Sequence, residues 1–312
     1  MKINDILNEA FTDISEDKFE KLLTTKFSQA WNHYIKTGNA IFRHDDSASG
    51  YDPDLVAKFA TPLKNREAAF AYSNLHNEYI NNGSQWSAFP KRAVIGGSNA
   101  DIARRRGSPS GVYLILPVNN TPIGLCPQHD IWASFENIHE IMDSEPDMQV
   151  LNNFYRHPLF MFAEAIEYVL DFKFYSWLKD SGGSYDSYRD ELRNFDALLD
   201  GVKRQDYDEV VEYYDISQKR VLDDVEVVRC IFGYDYNGDM ISEQLHNFCL
   251  AVRKNGLTKT MDWLFSPKNF QVGKIEDVIT DQNDDNEVWF DSSYLMIPYV
   301  HLEDFYYKYQ NL

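Results

Sequence analysis

Three short segments of the chain carry residue types that could do chemistry together: Ile41-Phe42-Arg43, Gly97-Ser98-Asn99 and Asp285-Asn286-Glu287. An arginine offers a planar fork of donors that suits phosphate oxygens. A serine at a strand end can orient a neighbouring group, and a fixed carboxylate stabilises a developing cation. Each residue also has a plain structural role. Arg43 can be a surface arginine on a strand, Ser98 the N-cap of a following helix, and Glu287 an exposed residue entering a strand. Arg66 and Arg92 are rivals for the arginine's role.

Other candidates are weaker. The run Cys126-Pro127-Gln128-His129-Asp130 sets a thiol three positions from an imidazole. Residues so spaced on a turn rarely align as nucleophile and base, and Pro127 adds a bend. His129, Asp130 and His139 lack metal-site spacing, so no metal is expected. Glu164 and Glu167 read as the solvated face of a helix. Arg104-Arg105-Arg106 could meet nucleic acid, but arginines ending a helix also complement its dipole. No GxGxxG or Walker A segment exists.

The elements that must position these residues follow from periodicity. Ile3, Ile6 and Leu7 make an amphipathic start. A helix is expected over 16–36, with Ser15 as N-cap, an apolar stripe from Phe19 to Tyr34, and Gly38 as its stop. Strands are expected at Ala40–His44, near Arg92–Ile95, over Gly111–Pro117 and at 123–126. A helix over 66–82 and a short one through Ala100–Arg106 lie among them. Residues 137–264 read as mostly helical, with Pro158 starting one helix and Gly256 ending another. Strand-like sequence returns at 287–290 and 294–300. Strands at both ends of a helical block predict an α+β core with an inserted helical region.

Composition bounds the rest. The chain has 312 residues, 44% hydrophobic and 15% aromatic, which excludes a disordered polymer. No apolar run approaches the ~18 residues of a membrane span, and no signal-peptide pattern opens the chain. Three cysteines without CxxC spacing read as reduced thiols, not a disulfide framework or zinc site. The net charge of −19 is unevenly spread: residues 1–135 hold 14 basic and 14 acidic side chains, residues 136–312 hold 16 and 35. The acidic balance disfavours nucleic acid as a partner. It marks the helical block as a soluble acidic face or a guide for a basic partner.

Taken in order, the three segments resemble mono-ADP-ribosyltransferases of the Arg-Ser-Glu type. Ile41-Phe42-Arg43 is similar to the family's first core strand. Gly97 to Ala103 followed by Gly111 to Pro117 resembles its strand, serine turn, alanine helix and next strand. Asp285 to Phe290 resembles the Glu-x-Glu turn and strand. The resemblance covers roughly 16–135 and 265–300, and implies a split β core with an N-terminal helix and a large helical insertion at 136–264. It implies NAD as substrate, with Arg43 on its phosphates, Gly97 and Asn99 lining the site, and Ser98 ordering it. Glu287 would stabilise the oxocarbenium-like state while bonding the ribose 2′-hydroxyl. Asp285 would influence the acceptor, and Trp86 or Phe89 would stack on the nicotinamide. Arg43, Ser98 and Glu287 must then converge on one cleft. Two departures stand: one hydroxyl residue is kept in the serine turn, and Asp285 replaces the first glutamate.

The segment Leu7-Asn8-Glu9 before Ala10 resembles the prohead-protease cleavage site of T4-like tailed phages. That resemblance implies a capsid-targeting peptide within 1–15, packaging in the phage head and release into the host cytoplasm. The acceptor would be a host protein. The other reading is a non-catalytic virion or host-interaction protein on the same scaffold.

Overall fold

The computed structural model describes residues 10–45, 57–62, 74–105, 111–146, 148–180, 184–202, 222–233, 241–281 and 285–312. The chain is mixed α+β and divides into two compact units. The first comprises Met1–Glu67, Gly83–Ser134 and Lys268–Leu312; the second comprises Ala68–Asn82 and Phe135–Pro267. The helical unit therefore takes one more segment than the 136–264 expected, because helix Asn74–Asn82 packs there through Tyr79. The Tyr79 ring stacks on Phe265 at 4.8 Å, and its hydroxyl lies 3.3 Å from that of Tyr188.

The first unit holds a nine-stranded antiparallel sheet among the described residues. Its strands are β1 (Ala10–Ile14), β2 (Ile41–His44), β3 (Ala57–Thr61), β4 (Val94–Gly97), β5 (Val112–Pro117), β6 (Ile123–Leu125), β7 (Gln271–Gly273), β8 (Glu287–Phe290) and β9 (Tyr294–Pro298). Their spatial order is β1-β3-β9-β5-β2-β4-β8-β6-β7. The six residues of β5 are all buried, as an apolar central strand should be. β2 and β4 are joined by the single pair Phe42↔Gly97, whereas β4 and β8 share four pairs. A Cβ on Gly96 would stand 2.7 Å from Ile41 Cγ2 and 2.8 Å from the Phe42 carbonyl oxygen. Glycine is what lets the two strands approach there.

Two helices, α1 (Glu16–Thr25) and α2 (Ser28–Thr37), replace the single helix expected over 16–36. Asn119 explains the break. Its Nδ2 donates to the Thr25 carbonyl at 3.0 Å, and its Oδ1 accepts from Gln29 N–H at 2.9 Å. One side chain thus satisfies a loose group at each of the two abutting helix ends. Ser15 takes the N-cap position of α1 without a side-chain hydrogen bond, and Gly38 ends α2 at φ 76°. Phe19, Leu23, Phe27, Ala30 and Trp31 enter the core, as the stripe required.

Three strands were not expected. β1 occupies Ala10–Ile14 and pairs with β3, so a targeting peptide cannot run to residue 15 without including a strand of the sheet. β3 and the three-residue β7 complete the unforeseen set. The expectations at 1–9, 63–73 and 203–221 lie outside the described residues.

In the second unit Pro158 does not start a helix. It sits in a π-helical turn, Tyr155–Leu159, between Met148–Phe154 and Phe160–Leu170. A proline cannot donate its backbone bond, and one wide turn absorbs that loss while the helix runs on. Gly256, at φ 84°, ends helix Glu243–Asn255, and Asp196 accepts from Leu257 and Thr258 N–H at the start of Leu257–Leu264. Among the described residues no helix is long and apolar enough to cross a membrane.

Two glycine substitutions should have opposite signs. A Cβ at position 124 would meet the Trp289 ring at 2.3 Å, while one at 201 meets nothing within 4 Å. Gly124→Ala is expected to destabilise by about 1–3 kcal/mol. Gly201→Ala, inside helix Tyr185–Val202, should stabilise by about 0.4–1 kcal/mol. Urea denaturation of the two variants checks both.

Candidate active site

Arg43, Ser98 and Glu287 lie far apart in sequence, but sheet order makes their strands neighbours: β2, β4, β8. Ser98 follows β4 directly, and Glu287 opens β8 opposite Gly97. The backbone around Glu287 is tied on both sides. Ser98 N–H donates to the Asn286 carbonyl at 2.9 Å, and Asn286 N–H donates back to Ser98 Oγ at 3.0 Å. Asn286 Nδ2 donates to the Cys126 carbonyl at 2.9 Å, and Cys126 N–H donates to the Glu287 carbonyl at 2.8 Å. Glu287 N–H donates to the Gln128 carbonyl at 3.2 Å. The glutamate's position is therefore over-determined by β4 and by the segment after β6.

The hydroxyl of Ser98 thus ties down the turn that precedes Glu287. It is not the helix cap. That role falls to Asn99, whose Oδ1 accepts from Asp101 N–H at 2.7 Å at the start of helix Ala100–Arg105. Gly97, without a side chain, stands between Phe42 and Glu287 in the ladder.

The Glu287 carboxylate is 3% exposed and meets Arg92, whose Nη2 lies 2.5 Å from Oε1; Arg92 is 7% exposed. A buried carboxylate needs such a partner, since taking a charge from water costs several kcal/mol. In the sequence Arg92 was only a rival for the phosphate role, with nothing to link it to Glu287.

Arg43 is turned elsewhere. Cross-strand partners share a face of a sheet, so the run Phe42, Gly97, Glu287 places Glu287 on the Phe42 face. Arg43, next along β2, points to the other face, where Nη1 donates to the Tyr294 hydroxyl at 2.9 Å. Tyr294 meets Phe290 edge-on at 5.7 Å, on the side of β8 away from Glu287. The structure bonds Ser98 to Asn286, the neighbour of Glu287, and sets the Arg43 side chain on the face opposite the Glu287 carboxylate. Strand alternation is the reason.

Trp86 is 1% exposed, with Phe89 at 5.0 Å and Phe270 at 4.9 Å. Phe89 is half-buried and stacks on Trp289 at 6.0 Å, and Trp289 Nε1 donates to the Pro90 carbonyl at 3.0 Å. An enclosed ring such as Trp86 builds a wall instead of offering a face to nicotinamide. Asp285 is half-buried, two residues before Glu287.

The Cys126 run is structural. Its thiol is pushed well up, first by burial and then by the charge of Glu287. Asp130 accepts from Trp132 N–H at 2.9 Å and caps a short 3₁₀ turn. Among the described residues no group of three or more His, Cys, Asp or Glu is placed to hold a metal ion.

Comparison with protein-family models, with curated proteins and with solved structures finds no match for the chain.

The ion pair makes a measurable demand. Arg92→Ala removes the cation from a buried carboxylate, and should cost about 3–5 kcal/mol, with Glu287→Ala similarly costly. The double variant should lose clearly less than the sum, because the pair is one coupled unit. Denaturation of the four proteins decides; strictly additive losses would mean that the pair does not couple.

Proposed function

We propose that the protein is a mono-ADP-ribosyltransferase that moves ADP-ribose from NAD to a host protein. The observation that carries this reading is the adjacency of β2, β4 and β8, with Ser98 bonded to the turn that presents Glu287. An acid on a rigid strand is suited to cleaving a nicotinamide–ribose bond. The bond breaks through an oxocarbenium-like state, and a preorganised carboxylate stabilises that charge without reorganising. Its second task is to accept a hydrogen bond from the ribose 2′-hydroxyl. In this reading Arg92 holds the carboxylate in place when no substrate is bound. Arg43, the phosphate candidate of the resemblance, stands on the face opposite the Glu287 carboxylate, so leaving Tyr294 alone does not bring it to the same ligand.

A second reading has its own observation. Glu287 is buried and already paired, and the acidic excess lies in residues 136–312. A scaffold whose carboxylate is permanently closed would act as a non-catalytic virion or host-interaction protein, its acidic helical unit meeting a basic partner. Labelled NAD and host lysate separate the two. Transfer by the wild type, with Glu287→Gln at least ~100-fold slower, supports the enzyme. Absence of transfer, or equal transfer by the variant, leaves the interaction protein.

The packaging proposal rests on Leu7-Asn8-Glu9 and gains from the start of β1 at Ala10. A cut after Glu9 would leave every strand of the sheet whole. The mature N-terminus read from purified virions should be Ala10; an intact Met1 there would sink the idea.

A further inference from the structure

Cys230 and Cys249 show no motif spacing, yet they meet where helix Leu222–Phe232 packs on helix Glu243–Asn255. Cys249 lies on the same face of helix Glu243–Asn255 as His246 and Arg253, both of which reach Cys230. His246, one turn before Cys249 on the same helix, sets its Nδ1 3.3 Å from Cys230 Sγ. Arg253 Nη1 donates to the Cys230 carbonyl at 3.4 Å, bringing a cationic group to the same spot. These contacts divide the two sulfurs by chemistry. A hydrogen bond from Cys249, helped by His246 and the charge of Arg253, brings the Cys230 thiol down to about 6 against the effect of burial. Burial above all, then the adjoining sulfur, pushes the Cys249 thiol up. One sulfur ionises readily and its neighbour keeps its proton. That is the division between an attacking and a resolving thiol.

We propose that Cys230 and Cys249 form a redox-active dithiol, in which Cys230 reacts with a hydroperoxide and Cys249 resolves the product. The Cys230 thiolate attacks one oxygen of hydrogen peroxide. An S–O bond forms, the O–O bond breaks, and the departing hydroxide takes up a proton as water. The Cys249 sulfur, giving up its proton, then attacks the sulfenic sulfur. The S–S bond forms, the S–O bond breaks, and a second water leaves. Two thiols are oxidised to one disulfide and one peroxide is reduced to two waters. Cys230 is 2% exposed and Cys249 0%, so the oxidant must be small. The bridge would fasten the two helices of the acidic unit to each other, independently of any chemistry at Glu287.

The test treats the reduced full-length protein with stoichiometric hydrogen peroxide, then alkylates under denaturing conditions and maps peptides by mass. The expected product joins the Cys230 and Cys249 peptides with loss of two hydrogens and reverts with dithiothreitol. Cys126, fully buried in the other unit, should be recovered as an alkylated thiol. In Cys249→Ser, Cys230 should stop at sulfenic acid or go on to sulfinic acid. Recovery of both Cys230 and Cys249 as alkylated thiols would overturn the proposal. So would oxidation of Cys126 as fast as Cys230, or a Cys230 that stays a thiol in Cys249→Ser. The wild-type experiment stands without the variant.

Discussion

A carboxylate in the interior of a sheet is the constraint from which the first unit is best understood. Glu287 opens β8 with almost no contact with water, and Arg92 reaches its carboxylate with an opposite charge. Such a pair seldom adds much net stability, since desolvation of two ions offsets their attraction. What it does is penalise every arrangement that separates them. The reciprocal Ser98–Asn286 bonds and the Cys126–Glu287 bond hold the backbone of the same residue. Side chain and main chain are thus fixed by different elements, which keeps the residue in one geometry.

The second feature is the narrow link between the halves of the sheet. β2 and β4 touch through Phe42↔Gly97, with Gly96 letting them close. Around that link lie the strands that bear Arg43, Ser98 and Glu287, drawn from distant parts of the chain. Alternation decides which side chains can meet. Ser98 reaches the backbone of Asn286 beside Glu287, while Arg43 is sent to the face opposite the Glu287 carboxylate and to Tyr294. A ligand bridging Arg43 and Glu287 would have to reach both faces of the sheet.

Much of this was legible in the residues, and what was not has identifiable causes. β5, wholly buried, reads as a strand because nothing in Val112–Pro117 competes with that reading. β1, β3 and β7 escaped because two lie at or near one edge of the sheet and one at the other, where short strands carry little apolar pattern. The break between α1 and α2 depends on Asn119, a long-range contact that helical periodicity cannot display. Pro158 was misread because a π turn can absorb a proline that normally marks a helix start. Ser98 and Glu287 were found by type and order. The Arg92 partnership was hidden, because a buried ion pair leaves no spacing signature.

The central claim is that the Glu287 carboxylate faces a site for the ribose of NAD, with Arg92 as its partner at rest. A crystal structure with a non-reactive NAD analogue tests it most directly. A Glu287 oxygen is expected within hydrogen-bonding distance of the analogue's ribose 2′-hydroxyl. An analogue bound elsewhere, with the Arg92–Glu287 pair intact, would contradict it.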